Sequence, residues 1–356
     1  MMVAPGELAE ELARLAAAAG CEPSRASDLD ALREQWSSAP LVLLDTAAAS
    51  AASQAGLPRR DGVVIVCPHA EPDAWRCAVA VGAQQVAVLP DAEAWLVGAL
   101  ADVVDAPTQP AGRVLAVLGG RGGAGASVFA AAVAVAVAGS GRQALLLDCD
   151  ALSGGLDLTL GVERLDGLRW SGLHFGGGRV PAAVLHAALP TTRLAAQGGL
   201  TVLSCDREGR GPDGDAVRAV CRAGRRAGET VICDVPRYPC EPASAALEAA
   251  DLAVLVVPAE VRACAAAAVV AKRVLRCGVP LRLVVRGPGP GGLTPDDVGR
   301  ALELPVLTAM PAQPRLAAML DRGGLPGQSR GPLARAARQV LDALEGSARV
   351  GGGGAA

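Results

Sequence analysis

Glycines are concentrated at residues 119–127, where the sequence reads GGRGGAGAS. The apolar run before them, RVLAVL at 113–118, is typical of a buried strand, and the Ala/Val-rich run after them favours a helix. Glycines allow backbone N–H groups to converge on an anion, and the N-terminus of a following helix adds its positive end. The segment therefore predicts a phosphate-binding turn between a strand and a helix.

Three interpretations of this turn are compatible with its own sequence. Gly120-x-Gly122-x-x-Gly125 matches the dinucleotide-binding fingerprint, with Asp148 at the end of the next predicted strand as an acceptor for a ribose hydroxyl. Residues 121–127, RGGAGAS, also align with a phosphate loop of the form K-G-G-x-G-K-[ST]. A glycine turn with only a structural role is the third interpretation.

Downstream motifs favour the phosphate loop because they follow one another in a specific order. They are LLLDCD at 145–150, GLDLTLG at 155–161, TVICDVP at 230–236, and the runs 250–260 and 310–323. In this order they resemble the MinD/ParA family of P-loop ATPases over residues 113–345. Within that family the chain is most similar to the CpaE/TadZ branch, and there to the actinobacterial CpaE-like septum site-determining proteins.

This resemblance implies an α/β fold, with a mostly parallel, doubly wound P-loop domain preceded by a degenerate receiver-like α/β domain. We place the receiver-like domain at 1–105, a linker at 106–112, the P-loop domain at 113–345 and a disordered tail at 346–356. Most predicted strands lack alternation, as expected for strands buried on both faces. They cover residues 41–45, 62–67, 85–90, 113–118, 143–148, 200–204, 230–234, 252–258 and 281–286.

The resemblance also implies roles for individual residues. ATP or ADP with Mg²⁺ would be held by the loop residues Gly120, Arg121, Gly122, Gly123, Ala124, Gly125, Ala126 and Ser127. The Ser127 hydroxyl would ligate Mg²⁺, Asp234 would support the metal from behind, and Asp150 would polarise the attacking water. The residues themselves leave another interpretation open, in which Asp148 and Asp234 are polar ends of buried strands.

Both loop lysines of the family are absent from this chain. Ala126 and Arg121 occupy their positions, and Lys272, the one lysine of the sequence, lies in a later helix-like segment. Loss of a preorganised cation from a phosphate site costs about 100-fold in rate or more. Because the backbone cradle needs no lysine, we expect nucleotide binding that is weakened or lost, and hydrolysis that is weak or absent.

The function implied by the resemblance is that of a regulatory positioning protein. It would control division-septum placement or the location of a pilus or secretion apparatus, as a homodimer with protein partners in that machinery. Two alternatives remain open, namely an active ParA/MinD-type ATPase and a Rossmann-type NAD-dependent oxidoreductase.

The N-terminal part resembles a receiver domain that has lost its chemistry. The run 40–45, PLVLLD, resembles the strand that ends in the phosphoacceptor, here Asp45, and 82–90 resembles a later receiver strand with Leu89 in place of lysine. The paired acids that would hold Mg²⁺ are missing. We therefore interpret Asp45 as a strand-end residue and the domain as a localisation or docking module.

Composition argues against several other functions. Net charge is −3 and aromatic residues make up 2%, which disfavours a global attraction to DNA and stacking on single strands. The ten cysteines show no C-x-x-C spacing, and the three histidines lie far from ligand-like partners, so no metal site is predicted from them. The N-terminal residues lack the apolar core of a signal peptide. We expect a cytoplasmic protein, recruited at most peripherally to a membrane, septum or pole.

Two helical faces carry further predictions. Arg218, Arg222, Arg225 and Arg226 share one face, where they could contact DNA backbone or simply be solvated; the solvated face is our preference. The last helix, predicted at 333–345, has a stripe of small apolar residues that we expect to pack on the domain itself rather than on a membrane.

Overall fold

The computed structural model describes residues 6–60, 62–69, 71–104, 112–173, 182–195, 198–207, 211–324 and 331–351. The chain divides into two compact units, Met1–Ala106 and Pro107–Ala356. The predicted linker falls mostly on residues 105–111, which lie outside the described residues. No helix among those described is long and apolar enough to cross a bilayer.

The first unit is a small parallel sheet covered on both faces. Its strands are β1 (Val42–Leu44), β2 (Val63–Cys67) and β3 (Gln85–Val88), in that spatial order. Its helices are α1 (Glu7–Ala18), α2 (Leu29–Gln35), α3 (Thr46–Gln54), α4 (Pro72–Val81) and α5 (Glu93–Val104). Successive side chains of β2 alternate between two apolar clusters, one including helices α2 to α4 and the other α1 and α5.

Asp45 begins a helix in this unit. β1 ends at Leu44, one residue before the predicted end, and Asp45 Oδ1 accepts a hydrogen bond of 2.7 Å from the Ala48 amide at the start of α3. Aspartate is a favoured N-cap because its carboxylate satisfies a free amide of the first turn. The cap gives Asp45 a structural role at the strand end.

The second unit is built on an eight-stranded sheet with the spatial order β11-β10-β9-β4-β8-β5-β7-β6. All neighbouring strands are parallel except β6 and β7. The strands are β4 (Arg113–Gly119), β5 (Ala144–Asp148), β6 (Thr191–Arg193), β7 (Gly199–Leu203), β8 (Thr230–Val235), β9 (Leu252–Pro258), β10 (Leu281–Arg286) and β11 (Val306–Met310). The doubly wound α/β fold predicted from the sequence is confirmed.

Helices cover both faces of this sheet. They are α6 (Ala126–Gly139), α7 (Leu156–Leu160), α8 (Ala182–Ala188), α9 (Gly214–Arg226), α10 (Glu241–Ala249), α11 (Val261–Arg276), α12 (Pro295–Leu302), α13 (Leu316–Leu320) and α14 (Pro332–Gly351). One apolar cluster includes α9, α10 and α11, and the other, on the opposite face, includes α6 and α14. Side chains of the central strands β4, β5, β8 and β9 alternate between these two clusters, which explains why those strands are almost entirely apolar.

Helix α6 has almost no polar side, because nearly every residue from Phe129 to Ala138 is buried. It packs against the sheet on one side and against α14 on the other. The apolar stripe of α14 is buried there, as predicted. The helix itself runs to Gly351, so residues 346–351, which we placed in a disordered tail, are helical; 352–356 lie outside the described residues.

Candidate functional site

The glycine-rich segment connects β4 to α6, as the sequence predicts. Gly123 and Gly125 have φ values of +69° and +92°, in a region that residues with a side chain rarely adopt. Gly125 is the N-cap of α6, so the free amides of the first helical turn face the loop. An anion placed there would meet several backbone N–H groups and the positive end of the helix.

Gly120 is required for a different reason, namely a close approach between elements. Its amide donates a 2.9 Å hydrogen bond to the Val256 carbonyl of β9. A Cβ on Gly120 would lie 2.7 Å from Ala267 Cβ and 3.1 Å from Val257 Cγ2, too close for packed atoms. The loop therefore starts under the N-terminal half of α11 with no room for a side chain.

Asp234 lies beside the first turn of α6. It is 3% exposed and lies on the same face of β8 as Ile232, whose side chain is in the cluster beneath α6. The pKa of Asp234 is raised to about 7, mainly by burial; a hydrogen bond from the Ser127 side chain opposes the rise, and the nearby Asp148 and Asp150 add to it. Its Oδ2 has no hydrogen-bond partner among the described residues. A buried carboxylate oxygen without a partner, next to a serine hydroxyl, suits a hard cation such as Mg²⁺.

Asp148 has a structural environment instead. It is fully buried, and its carboxylate accepts hydrogen bonds from the Ser153 hydroxyl at 2.9 Å and from the Leu156 and Cys205 amides, both at 3.2 Å. Burial nevertheless raises the pKa of Asp148. These contacts hold the segment after β5 in place, and they leave the carboxylate no access to a ribose hydroxyl.

The strand order of the sheet also argues against the dinucleotide interpretation. In a dinucleotide-binding sheet, the glycine loop follows the first strand and leads into a helix. The next strand after that helix pairs directly with the first strand. Here β8 pairs with both β4 and β5 and so separates them. The match of Gly120, Gly122 and Gly125 to that fingerprint reflects shared loop chemistry only.

Asp150 is partly engaged by a residue that the sequence analysis missed. Its Oδ1 accepts hydrogen bonds from the Tyr238 hydroxyl at 2.9 Å and from the Leu152 amide at 3.0 Å. Burial, followed by this bond to Asp150, raises the pKa of Tyr238. The one tyrosine of the chain, four residues after Asp234, was the available signal. The role of Asp150 in polarising water stays a prediction.

Arg121, which occupies a lysine position of the loop, is ion-paired within the chain. Its Nη2 lies 2.9 and 3.0 Å from the two Glu260 oxygens, with both side chains about one-third exposed. The charge of Arg121 at the loop is therefore already neutralised by Glu260. Lys272 is exposed on α11.

A second acidic centre lies near this edge of the sheet and was not predicted. Asp157 is fully buried and contacts the Arg169 Nε at 2.9 Å, and two Arg207 nitrogens at 2.9 and 3.1 Å. The Ser204 hydroxyl adds a bond of 3.3 Å. These contacts join α7 to the segments before β6 and after β7.

The arginine face of α9 is partly neutralised. Arg225 binds both oxygens of Asp251 at 3.0 and 2.9 Å, and Arg218 contacts Asp215 at 2.8 Å and Glu248 at 3.3 Å. Arg222 is exposed and Arg226 is half-buried. Carboxylates thus share the face on which we considered DNA contact, which supports the solvated-face interpretation.

Comparison with known proteins finds a separate family match for each of the two units. Residues 2–112 match the family model described as Rv3660c-like, CheY-like N-terminal domain, and residues 113–273 match that of the cellulose biosynthesis protein BcsQ. The Mycobacterium tuberculosis protein named Uncharacterized protein Rv3660c is 46% identical over 357 residues, 99% of each chain. The chain belongs to the Rv3660c-like family. In this family member, a CheY-like unit precedes a P-loop unit.

Solved structures show the fold of the second unit. A ParA family ATPase from Chlorobium tepidum TLS has a TM-score of 0.55 at 15% identity, covering 66% of this chain and 98% of that one. The septum site-determining protein MinD from Pyrococcus horikoshii OT3, complexed with Mg-ADP, has a TM-score of 0.53 at 18% identity, covering 66% and 98%. The second unit therefore has the MinD/ParA fold.

Proposed function

We propose that this chain is a nucleotide-regulated positioning protein of the MinD/CpaE type. Residues Gly120 to Ser127 would hold the phosphates of ATP or ADP, with Mg²⁺ on Ser127 and Asp234 behind it. The observation that carries the proposal is the buried oxygen of Asp234 beside Ser127 at the start of α6, which has no partner within the described part of the chain. The P. horikoshii MinD with Mg-ADP supports it by likeness of fold.

The chemistry of this corner favours a cation. A buried carboxylate is costly to ionise alone, and a divalent ion offsets that cost. Mg²⁺ commonly takes one or two protein oxygens and completes its coordination with phosphates and water. When bound, it would neutralise phosphate charge. Asp234 would then release its proton, and Ser127 would turn its hydroxyl oxygen toward the metal.

The loop is better suited to binding than to hydrolysis. Ala126 contributes no charge, and Arg121 is held by Glu260. One missing cation costs about 100-fold in rate or more. We therefore propose slow turnover and a regulatory role, as a homodimer with protein partners that place the division septum or a pilus or secretion apparatus. The protein would be cytoplasmic and recruited to that site.

The test is calorimetric titration of the full chain with ATP, ADP and NAD(H) in the presence of Mg²⁺. Asp234→Ala is the diagnostic variant, and Asp342→Ala, at an exposed site on α14, is the matched control. We expect saturable ATP or ADP binding that only Asp234→Ala weakens. Absence of ATP and ADP binding would refute the proposal, and NAD(H) binding alone would indicate a nicotinamide protein instead.

Turnover distinguishes the regulatory role from the active ATPase. Phosphate release is measured at saturating ATP for the parent chain and for Ala126→Lys. We expect the parent to be slow and the lysine variant to be faster. A parent rate equal to that of an ordinary ParA-type ATPase would contradict the regulatory interpretation.

A further inference from the structure

The carboxyl end of strand β10 lies on the same side of the sheet as the glycine loop, which follows the carboxyl end of β4. Its last residue, Arg286, pairs with Pro258 at the end of β9, and β9 in turn pairs with β4. Val284 belongs to the apolar cluster beneath α6. Because side chains two residues apart point to the same face of a strand, Arg286 is directed to the face that α6 covers.

The side chain of Arg286 reaches the loop itself. Its Nη1 lies 3.2 Å from the position that a Cβ on Gly125 would occupy. Gly125 is the N-cap of α6, immediately before Ala126, where the family carries its lysine. The guanidinium therefore lies at the point of the loop where positive charge is missing.

The charge of Arg286 is also available. Arg121 is paired with Glu260 and Arg225 with Asp251, but in the described part of the chain Arg286 has no carboxylate within ion-pair distance. Its side chain is half-buried. A partly desolvated guanidinium attracts an anion more strongly than one in bulk water, and its planar donors match phosphate oxygens.

A second arginine approaches the other end of the loop more loosely. Arg237 Nη2 lies 3.9 Å from the Cβ position of Gly122, and the residue is exposed. The side chain of Arg273 donates a 2.7 Å hydrogen bond to the backbone carbonyl of Arg237. Exposure screens its charge, so Arg237 is the weaker source.

We propose that Arg286 supplies the phosphates of a nucleoside di- or triphosphate with the positive charge that Ala126 lacks. The proposal rests on the nucleotide binding proposed above and identifies the polyphosphate group as what Arg286 recognises. A guanidinium that reaches the loop from β10, two strands away from β4, can bind ground-state phosphate without occupying the position of the loop lysine. It therefore supports affinity more than turnover.

The first experiment titrates ADP and pyrophosphate, each with Mg²⁺, into the full chain. Arg286→Gln is compared with the parent and with Arg282→Gln. Arg282 is exposed and lies near the amino end of the same strand, away from the loop. We expect Arg286→Gln to bind both ligands about tenfold to a hundredfold more weakly, because it loses charge-assisted hydrogen bonds. Arg282→Gln should bind them as the parent does, and all three should share one thermal midpoint.

Weakened ADP binding with unchanged pyrophosphate binding would overturn the proposal, because it would place Arg286 on the base or ribose. Unchanged binding of both ligands would overturn it while leaving the proposed function intact, provided that Asp234→Ala still weakens ADP. A parent chain that binds neither ligand would overturn both.

A double-mutant cycle tests whether the charge of Arg286 substitutes for that of a lysine at position 126. Ala126→Lys is introduced into the parent and into Arg286→Gln, and pyrophosphate affinity is measured in all four chains. If Arg286 already supplies the charge, lysine should improve binding at least several-fold more in the Arg286→Gln background. Equal gains in the two backgrounds would contradict the proposal.

Discussion

The ionisation of Asp234 gives a direct test of the site without any ligand. The pKa of this carboxyl rises from 3.8 to about 7 through burial. The folded chain therefore holds the proton more tightly than the unfolded chain, and protonated Asp234 stabilises the fold. This contribution is complete below pH 4, falls as the pH rises through 7, and is absent above it.

The magnitude follows from the two pKa values. A difference between 3.8 and about 7 corresponds to about 4 kcal/mol of unfolding free energy, at about 1.36 kcal/mol per pH unit. About 2 to 3 kcal/mol of this falls between pH 5 and 8. Asparagine has nearly the same shape and does not titrate. Asp234→Asn should therefore gain that much stability relative to the parent over this interval.

The assay is thermal unfolding followed by circular dichroism, in EDTA, at pH 5 and at pH 8. For a domain of this size, 1 kcal/mol corresponds to about 2–4 °C in Tm. We expect the Tm of Asp234→Asn to rise by about 5–10 °C relative to the parent between the two pH values. Asp342→Asn, at the exposed position on α14, should follow the parent. Parallel Tm curves for parent and Asp234→Asn would refute the reasoning.

Three further substitutions test contacts around the sheet by chemical denaturation. Asp157→Asn should destabilise the fold by about 3 kcal/mol, because it leaves Arg169 without its buried carboxylate; a loss below 1 kcal/mol would contradict this. Gly120→Ala should cost about 1–3 kcal/mol through the clash with Ala267, and an unchanged midpoint would show that the loop has room. Arg225→Met should cost about 1–3 kcal/mol of unfolding free energy, because it breaks the bidentate ion pair with Asp251. Arg222→Met, at an exposed site, is the control and should be neutral.

Burial explains which strands the sequence could predict. All nine predicted strands are present, with ends that differ from the prediction by at most two residues, because most of their residues are apolar and buried. The two missed strands, β6 and β11, lie at the edges of the sheet. β6 is three residues long and largely exposed, and β11 is only partly buried. Neither carries a continuous apolar run.

The site was predictable where its chemistry is local in sequence. The glycine loop is contiguous, so its pattern predicted the turn between β4 and α6, while Ser127 and Asp234 were singled out by the order of motifs that resembles the MinD/ParA family. Arg286 and Tyr238 come to the site through the order of strands, which no short motif records. The pairing of Arg121 with Glu260 bridges 139 positions, and it changes the meaning of an arginine that the loop motif alone suggested was free.

Helix α6 has a consequence for how this chain is synthesised. Its outer side is covered by α14, which begins about 190 residues after the end of α6 and is therefore made much later. Until α14 is made, the side of α6 that α14 covers is open, and exposed apolar surface of this kind promotes aggregation. A nascent chain that stalls before residue 332 would present an incomplete second unit, with the apolar surface of α6 exposed, to chaperones.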